Sequence, residues 1–169
     1  MYEDKIVIAL GSSLGGRFGA PEAMIEAALD RLPAAGFKVL ARSAPWRSAS
    51  WPDPTRPDYI NAVAVVETAL GPAETLHRLH DLEAVFGRVR GDPDVARNAP
   101  RTLDLDLIAH GRTFSDAPGL LLPHPRAAER LFVMGPLAEI APEWRHPVTG
   151  ETAASLAARA GVGRDARPL

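Results

Sequence analysis

Cysteine is missing from the 169 residues, so disulfides and thiolate-held metals are excluded. Lysine is nearly missing: of 19 basic residues only Lys5 and Lys38 are lysines. Neither follows a glycine, so the Gly-x-x-x-x-Gly-Lys-[Ser/Thr] phosphate loop cannot be built. The run Gly11 to Gly16 resembles such a cradle only loosely and reads more readily as a plain glycine-rich turn. No apolar run approaches the roughly 20 residues needed to span a bilayer, and Ile6 to Leu10 is too short for a signal-peptide core. No charge dominates either. With 21 acidic against 19 basic residues the net charge is -2, which gives no reason to expect nucleic acid or an anionic membrane as a partner. The expectation is a cytoplasmic monomer of one domain, residues 1–169.

Apolar periodicity supplies the elements. Lys5 to Ser12 and Phe37 to Arg42 read as strands, and Ala20 to Leu32 reads as a helix with an Ile25, Ala28, Leu29, Leu32 stripe. Tyr59 to Leu70 is a strand, and Gly71-Pro72 opens a helix carrying Leu76, Leu79, Leu82 and Phe86. Leu103 to Ala109 is a strand that begins in strict alternation. Two long loops interrupt the pattern, Ser43 to Asp58 and the basic stretch Gly87 to Ala99; loops of this length inside a domain are more often functional than accidental. Beyond Gly119 come a short strand at Leu120 to Leu122, a turn at Pro123 to Pro125, a helical stretch through Arg130, and helical pieces at Pro136 to Ile140 and Glu151 to Ala160. The order strand, helix, strand, strand, helix, strand predicts an α+β ferredoxin-like sandwich, an antiparallel sheet with helices on one face, plus extra C-terminal elements.

The chemistry gathers at Pro100 to Asp106. Successive strand residues point to opposite faces, so Asp104 and Asp106 share one face while Leu103, Leu105 and Leu107 take the other. Two carboxylates about 7 Å apart suit either a solvated acidic edge or Mg²⁺, which takes one or two carboxylates and fills its shell with water and phosphate oxygens. Arg88, Arg90, Arg97 and Arg101 lie just upstream. Cationic side chains beside a cation-binding pair make sense if a polyanion lies between them, held by arginine forks and bridged by magnesium. A magnesium-dependent phosphohydrolase or a silent nucleotide-binding module would use the same residues.

These residues resemble the 6-hydroxymethyl-7,8-dihydropterin pyrophosphokinase family. The resemblance runs in order through Ile8 to Ser12, Pro57 to Ala62, Gly87 to Arg90, Pro100 to Asp106, Leu122 to His124, Arg130 to Phe132 and Pro136 to Pro142. It implies transfer of pyrophosphate from ATP to the hydroxymethyl group of the pterin, giving AMP and the pterin diphosphate in folate biosynthesis. It also implies that Asp104 and Asp106 hold two Mg²⁺ ions and act in catalysis with Arg88, Arg90 and Arg101. Glu83, Leu107, His124 and Arg130, with Arg88, Arg90, Arg97 and Arg101, would meet ATP. Ser43, Ala44, Trp46, Tyr59, Asn61 and Phe132 would form the pterin pocket. Independently, Tyr59 and Asn61 are two apart on a strand and share a face, which agrees with a site for a flat heterocycle, although without the resemblance Tyr59 and Phe132 read as ordinary core residues.

The chain departs from the family at Ser13, where relatives carry asparagine, and at Asn98 and Ala99, where relatives carry tryptophan and glycine. It also departs at Gly119, Leu121 and Pro125. Ser43-Ala44-Pro45-Trp46 replaces a threonine-proline-proline-leucine loop. His77 and His80 are read as solvated rather than metal-binding, for want of a third ligand. Trp46, Trp51 and Trp144 are candidate markers of binding surfaces.

Overall fold

The computed structural model describes residues 2–50, 53–87 and 102–169. Its elements are β1 (Ile6–Ser12), α1 (Pro21–Arg31), β2 (Lys38–Arg42), β3 (Trp46–Ser48), β4 (Tyr59–Glu67), α2 (Pro72–Val85) and β5 (Asp104–His110). A hairpin of β6 (Ser115–Ala117) and β7 (Leu120–Leu122) follows, then a 3-10 turn at Ala127–Glu129, α3 (Leu131–Ile140), α4 (Ala153–Arg159) and β8 (Arg167–Pro168). Both early helices open on proline in the first turn, where its missing N–H costs nothing. The Thr152 side chain caps α4 by accepting the Ser155 N–H.

The main sheet runs β5-β1-β4-β3-β8, antiparallel throughout, with β2 also paired to β4. β2 and β3 lie along successive stretches of β4 and act as one broken strand. Ser43 makes the break: its N–H donates to the Val63 carbonyl, and its hydroxyl accepts the Val63 N–H at 3.0 Å. The expected loop from Ser43 therefore contains a short strand, stabilised by partners remote in sequence. Glu139 accepts the Ala44 N–H and the Trp46 indole N–H, and the Trp46 ring lies so close over Gly135 that any Cβ there would meet it at 2.5 Å.

Helices cover both faces of the sheet, where the sequence reading placed them on one. Ile8, Leu10, Ala62, Ala64 and Leu105 pack with Met24, Ile25, Leu79 and Leu82 of α1 and α2. Val7, Val63, Val65 and Ile108 pack with Val133, Met134, Leu137 and Leu156 of α3 and α4. This explains the unbroken apolar text of β4, a strand buried on both sides. Burying each large aliphatic side chain contributes about 1.5–3 kcal/mol. Trp144, expected at a surface, is fully buried in the second core.

β5 alternates between the two cores, with Leu105 and Leu107 on the first face and Ile108 on the second, until a bulge intervenes. Its register against β1 shifts between Val7 and Ile8, so Ala109, opposite Val7, faces the second core as well. Asp104 and Asp106 precede the bulge and remain on the α3 side.

Candidate active site

Antiparallel pairing puts residues directly opposite one another on the same face. Gly11 of β1 is opposite both Asp104 of β5 and Asn61 of β4, and Asn61 is opposite Trp46. One step along, Ala9 is opposite Asp106 and Val63. The two smallest side chains of β1 thus lie between the acids and the amide and leave a hollow in the sheet. Gly11 is needed there: a Cβ would sit 2.9 Å from Asn61 Nδ2.

The hollow is a cleft lined by Gly11, Tyr59, Asn61, Asp104, Asp106 and Phe132, with Ser48, Ala49, Arg130 and Val133 completing its walls. Most of its exposed lining is apolar, and the polar groups converge from three strands and the start of α3. Asn61 is mostly buried, and its Oδ1 has no hydrogen-bond partner among the described residues. A buried polar atom left without a partner is costly unless a ligand meets it. The cleft therefore has a ready acceptor for an N–H group.

A second hollow adjoins the first and shares Arg130 with it. Leu76, Leu107, Leu121, His124, Pro125 and Arg126 contribute to its lining. His124 is anchored by its N–H to the Ile108 carbonyl at 2.8 Å. Burial, then the neighbouring Arg130 and Arg126 charges, push its pKa down to about 4, so the ring is neutral at pH 7. Its Nδ1 accepts the Arg126 N–H at 3.2 Å, which leaves the proton on Nε2 as a donor.

Glu83 stands behind the acids rather than in either hollow's lining. It is 1% exposed, and its carboxylate accepts the Leu105 N–H at 2.8 Å. That N–H lies between Asp104 and Asp106 on the outer strand, so Glu83 pins the stretch of backbone from which both acids project.

The expected site residues divide clearly. Tyr59, Asn61, Asp104, Asp106, Arg130 and Phe132 meet in the first cleft, and Leu107, His124 and Arg130 in the second. Ser43, Ala44 and Trp46 line neither; they form the bend between β2 and β3 and its packing on α3. Arg88, Arg90, Arg97, Arg101 and Trp51, with the changes at Asn98 and Ala99, lie outside the described residues. Gly16 and Gly19 bond each other's backbone in a tight turn. His77 is exposed beside Asp81. Reading the sequence missed Ala9, Gly11, Ser48, Ala49 and Arg126, because the pairing that brings them to the site leaves no mark within any one segment.

The residues fit a magnesium ion. Two hard carboxylates share a face and line an open cleft. That leaves coordination positions for water and phosphate, as Mg²⁺ requires.

A family model described as 7,8-dihydro-6-hydroxymethylpterin-pyrophosphokinase matches residues 7–142. The 2-amino-4-hydroxy-6-hydroxymethyldihydropteridine pyrophosphokinase of Synechocystis is 40% identical over 144 residues, 85% of this chain and 71% of that protein. The folic acid synthesis protein of Pneumocystis carinii is 36% identical over 98% of this chain, which spans only 21% of its length. The crystal structure of wild-type Plasmodium falciparum HPPK-DHPS superposes with a TM-score of 0.66 at 12% identity, covering 91% of this chain and 44% of that one, a likeness of fold.

Proposed function

The chain belongs to the 7,8-dihydro-6-hydroxymethylpterin-pyrophosphokinase family, and from that premise we propose that its two joined hollows bind a pterin and ATP for pyrophosphoryl transfer. The observation that carries the reading is the cross-strand row Asp104–Gly11–Asn61, which joins a metal-type acid pair to a cleft for a flat heterocycle.

In this reading Tyr59 and Phe132 flank the pterin, and the Asn61 Oδ1 accepts an N–H from its edge. The pterin hydroxymethyl oxygen attacks the β-phosphorus of ATP and gives up its proton to water, the bond from that phosphorus to the α,β-bridging oxygen breaks, and AMP leaves. Asp104 and Asp106 would hold two Mg²⁺ ions, which supply charge neutralisation on the phosphates when bound. His124 donates from Nε2 and Arg130 supplies charge at the junction of the hollows. By likeness to the family, Arg88, Arg90, Arg97 and Arg101 would meet the triphosphate. Positioning and charge stabilisation carry this kind of transfer, so no strong general base is required.

The proposal includes a cytoplasmic monomer in which residues 1–169 are one pyrophosphokinase domain. One continuous family match over residues 7–142 supports the single domain. Among the described residues no helix is long and apolar enough to cross a membrane.

The test is incubation with ATP, magnesium and 6-hydroxymethyl-7,8-dihydropterin, read by mass spectrometry. AMP and pterin diphosphate should appear one for one. Phosphate release without pterin would indicate a hydrolase, and binding with no AMP a silent module. Asp104→Ala and Asp106→Ala should each abolish turnover while the circular dichroism spectrum is kept; near-normal rates in either would sink the metal assignment.

A further inference from the structure

The C-terminal residues 161–169 hold the two walls of the first cleft together. Val162 bonds to the start of α3: its carbonyl accepts the Leu131 N–H and its own N–H donates to the Glu129 carbonyl, both at 2.9 Å. Asp165 then accepts the Ala49 N–H on its Oδ2 at 2.8 Å. β8 pairs with β3, Arg167 opposite Arg47 and Pro168 opposite Trp46, and the Leu169 N–H reaches the Pro45 carbonyl at 3.0 Å. One short segment thus grips both the Arg130–Phe132 wall and the Ser48–Ala49 wall.

Gly163 is where this segment touches the site. Its φ is +71°, and a Cβ on it would lie 2.5 Å from Phe132 Cδ1 and 3.0 Å from Cε1. Any side chain here would drive the ring from its place, whereas bare backbone gives the ring a flat backing. We propose that residues 161–169 are a strap that sets the Phe132 ring and the Ser48–Ala49 wall, making Gly163 and Asp165 positioning residues for the flat acceptor and not for the nucleotide. The inference rests on the pterin reading of the cleft. The strap lies beyond residue 142, where the match to the family model ends.

A strand that merely closes the sheet edge would matter to stability alone. The two roles separate in binding measurements on the full-length chain. Calorimetry with magnesium and α,β-methylene-ATP, whose α,β bridge cannot be cleaved, gives the nucleotide Kd. Titration of that complex with 6-hydroxymethyl-7,8-dihydropterin gives the pterin Kd. Gly163→Ala should weaken pterin binding by about tenfold, the effect of forcing an aromatic wall off its rotamer. Nucleotide binding should stay within about twofold of wild type, the resolution of such a comparison. Asp165→Ala should weaken pterin binding by about threefold to tenfold through loss of one hydrogen bond, and Asp165→Asn, which keeps an acceptor, should recover most of it. Unchanged pterin affinity in folded Gly163→Ala overturns the proposal, as does equal loss of both ligands in the two variants. If Gly163→Ala does not fold, the Asp165 pair decides by the same criteria. Wild-type protein that binds no pterin fails earlier, and removes the underlying reading together with the strap.

Discussion

Gly11→Ala is the most economical perturbation of this site, since it adds one methyl group to the floor between the acids and the amide. The new Cβ would lie 2.9 Å from Asn61 Nδ2 and 3.8 Å from Tyr59 Cδ1, against an ordinary contact of 3.4 Å or more. The first gap must open by 3.4 − 2.9, about 0.5 Å, while the second is already comfortable. Gly11 sits in a paired strand without the positive φ that would penalise alanine, so the backbone has no reason to yield. The Asn61 amide moves instead, and its hydrogen bond to the pterin edge is weakened or lost. One neutral hydrogen bond is worth about 0.5–1.5 kcal/mol, or roughly twofold to thirteenfold in pterin affinity. Crowding costs about 1–3 kcal/mol of stability, partly offset because alanine restricts the unfolded chain. Titration with pterin in the presence of a non-cleavable ATP analogue reads the affinity, and urea unfolding reads the stability. A folded Gly11→Ala protein with wild-type pterin affinity would refute the role given to Asn61. An equal loss of nucleotide affinity would refute the division between the hollows.

Two further expectations concern the frame around the acids. His124 has a folded pKa of about 4 against an ordinary 6.5, so the unfolded chain takes up a proton near pH 6.5 that the folded protein refuses until about pH 4. Stability from this group therefore falls as pH drops through that window, by about 3 kcal/mol in all, and is flat outside it. His124→Gln should lose correspondingly less between pH 7 and pH 4 in chemical unfolding; parallel curves would contradict the buried neutral imidazole. Glu83→Ala should cost at least about 1–3 kcal/mol, because the Leu105 N–H loses its acceptor, whereas Glu83→Gln should cost much less. Equal midpoints for the two variants in urea would show that the bond does not pin β5.

What could be read from the sequence followed the range of the forces involved. The shared face of Asp104 and Asp106 is a local consequence of strand geometry, and the stripes of α1 and α2 are local too. β3 was hidden because Trp46–Ser48 is too short to show a period and is held by Glu139 and Gly135, some 90 residues away in the chain. The helical piece expected from Pro136 starts five residues earlier, at Leu131. Pro136 sits inside that helix, where it forgoes the bond another residue would donate to the Phe132 carbonyl. Trp144 looked like a surface marker because nothing local shows the layer of α3 and α4 that closes over it. The substrate came from likeness to the family, not from geometry. The junction of Asp104 with Asn61 needed the register of three strands, which no single segment carries.

That register also sets a length. Neighbouring strands are about 4.8 Å apart, so Asp104 and Asn61, one strand to either side of Gly11, are held about 10 Å apart across the sheet. The span is fixed by main-chain ladder bonds and is insensitive to the identity of the side chains that decorate it. Substitutions can retune the walls of the cleft without moving its two ends relative to each other. An insertion of one residue into β1 cannot: it would turn Ala9 and Gly11 to the opposite face and put Ile8 and Leu10 in their place, filling the hollow from below.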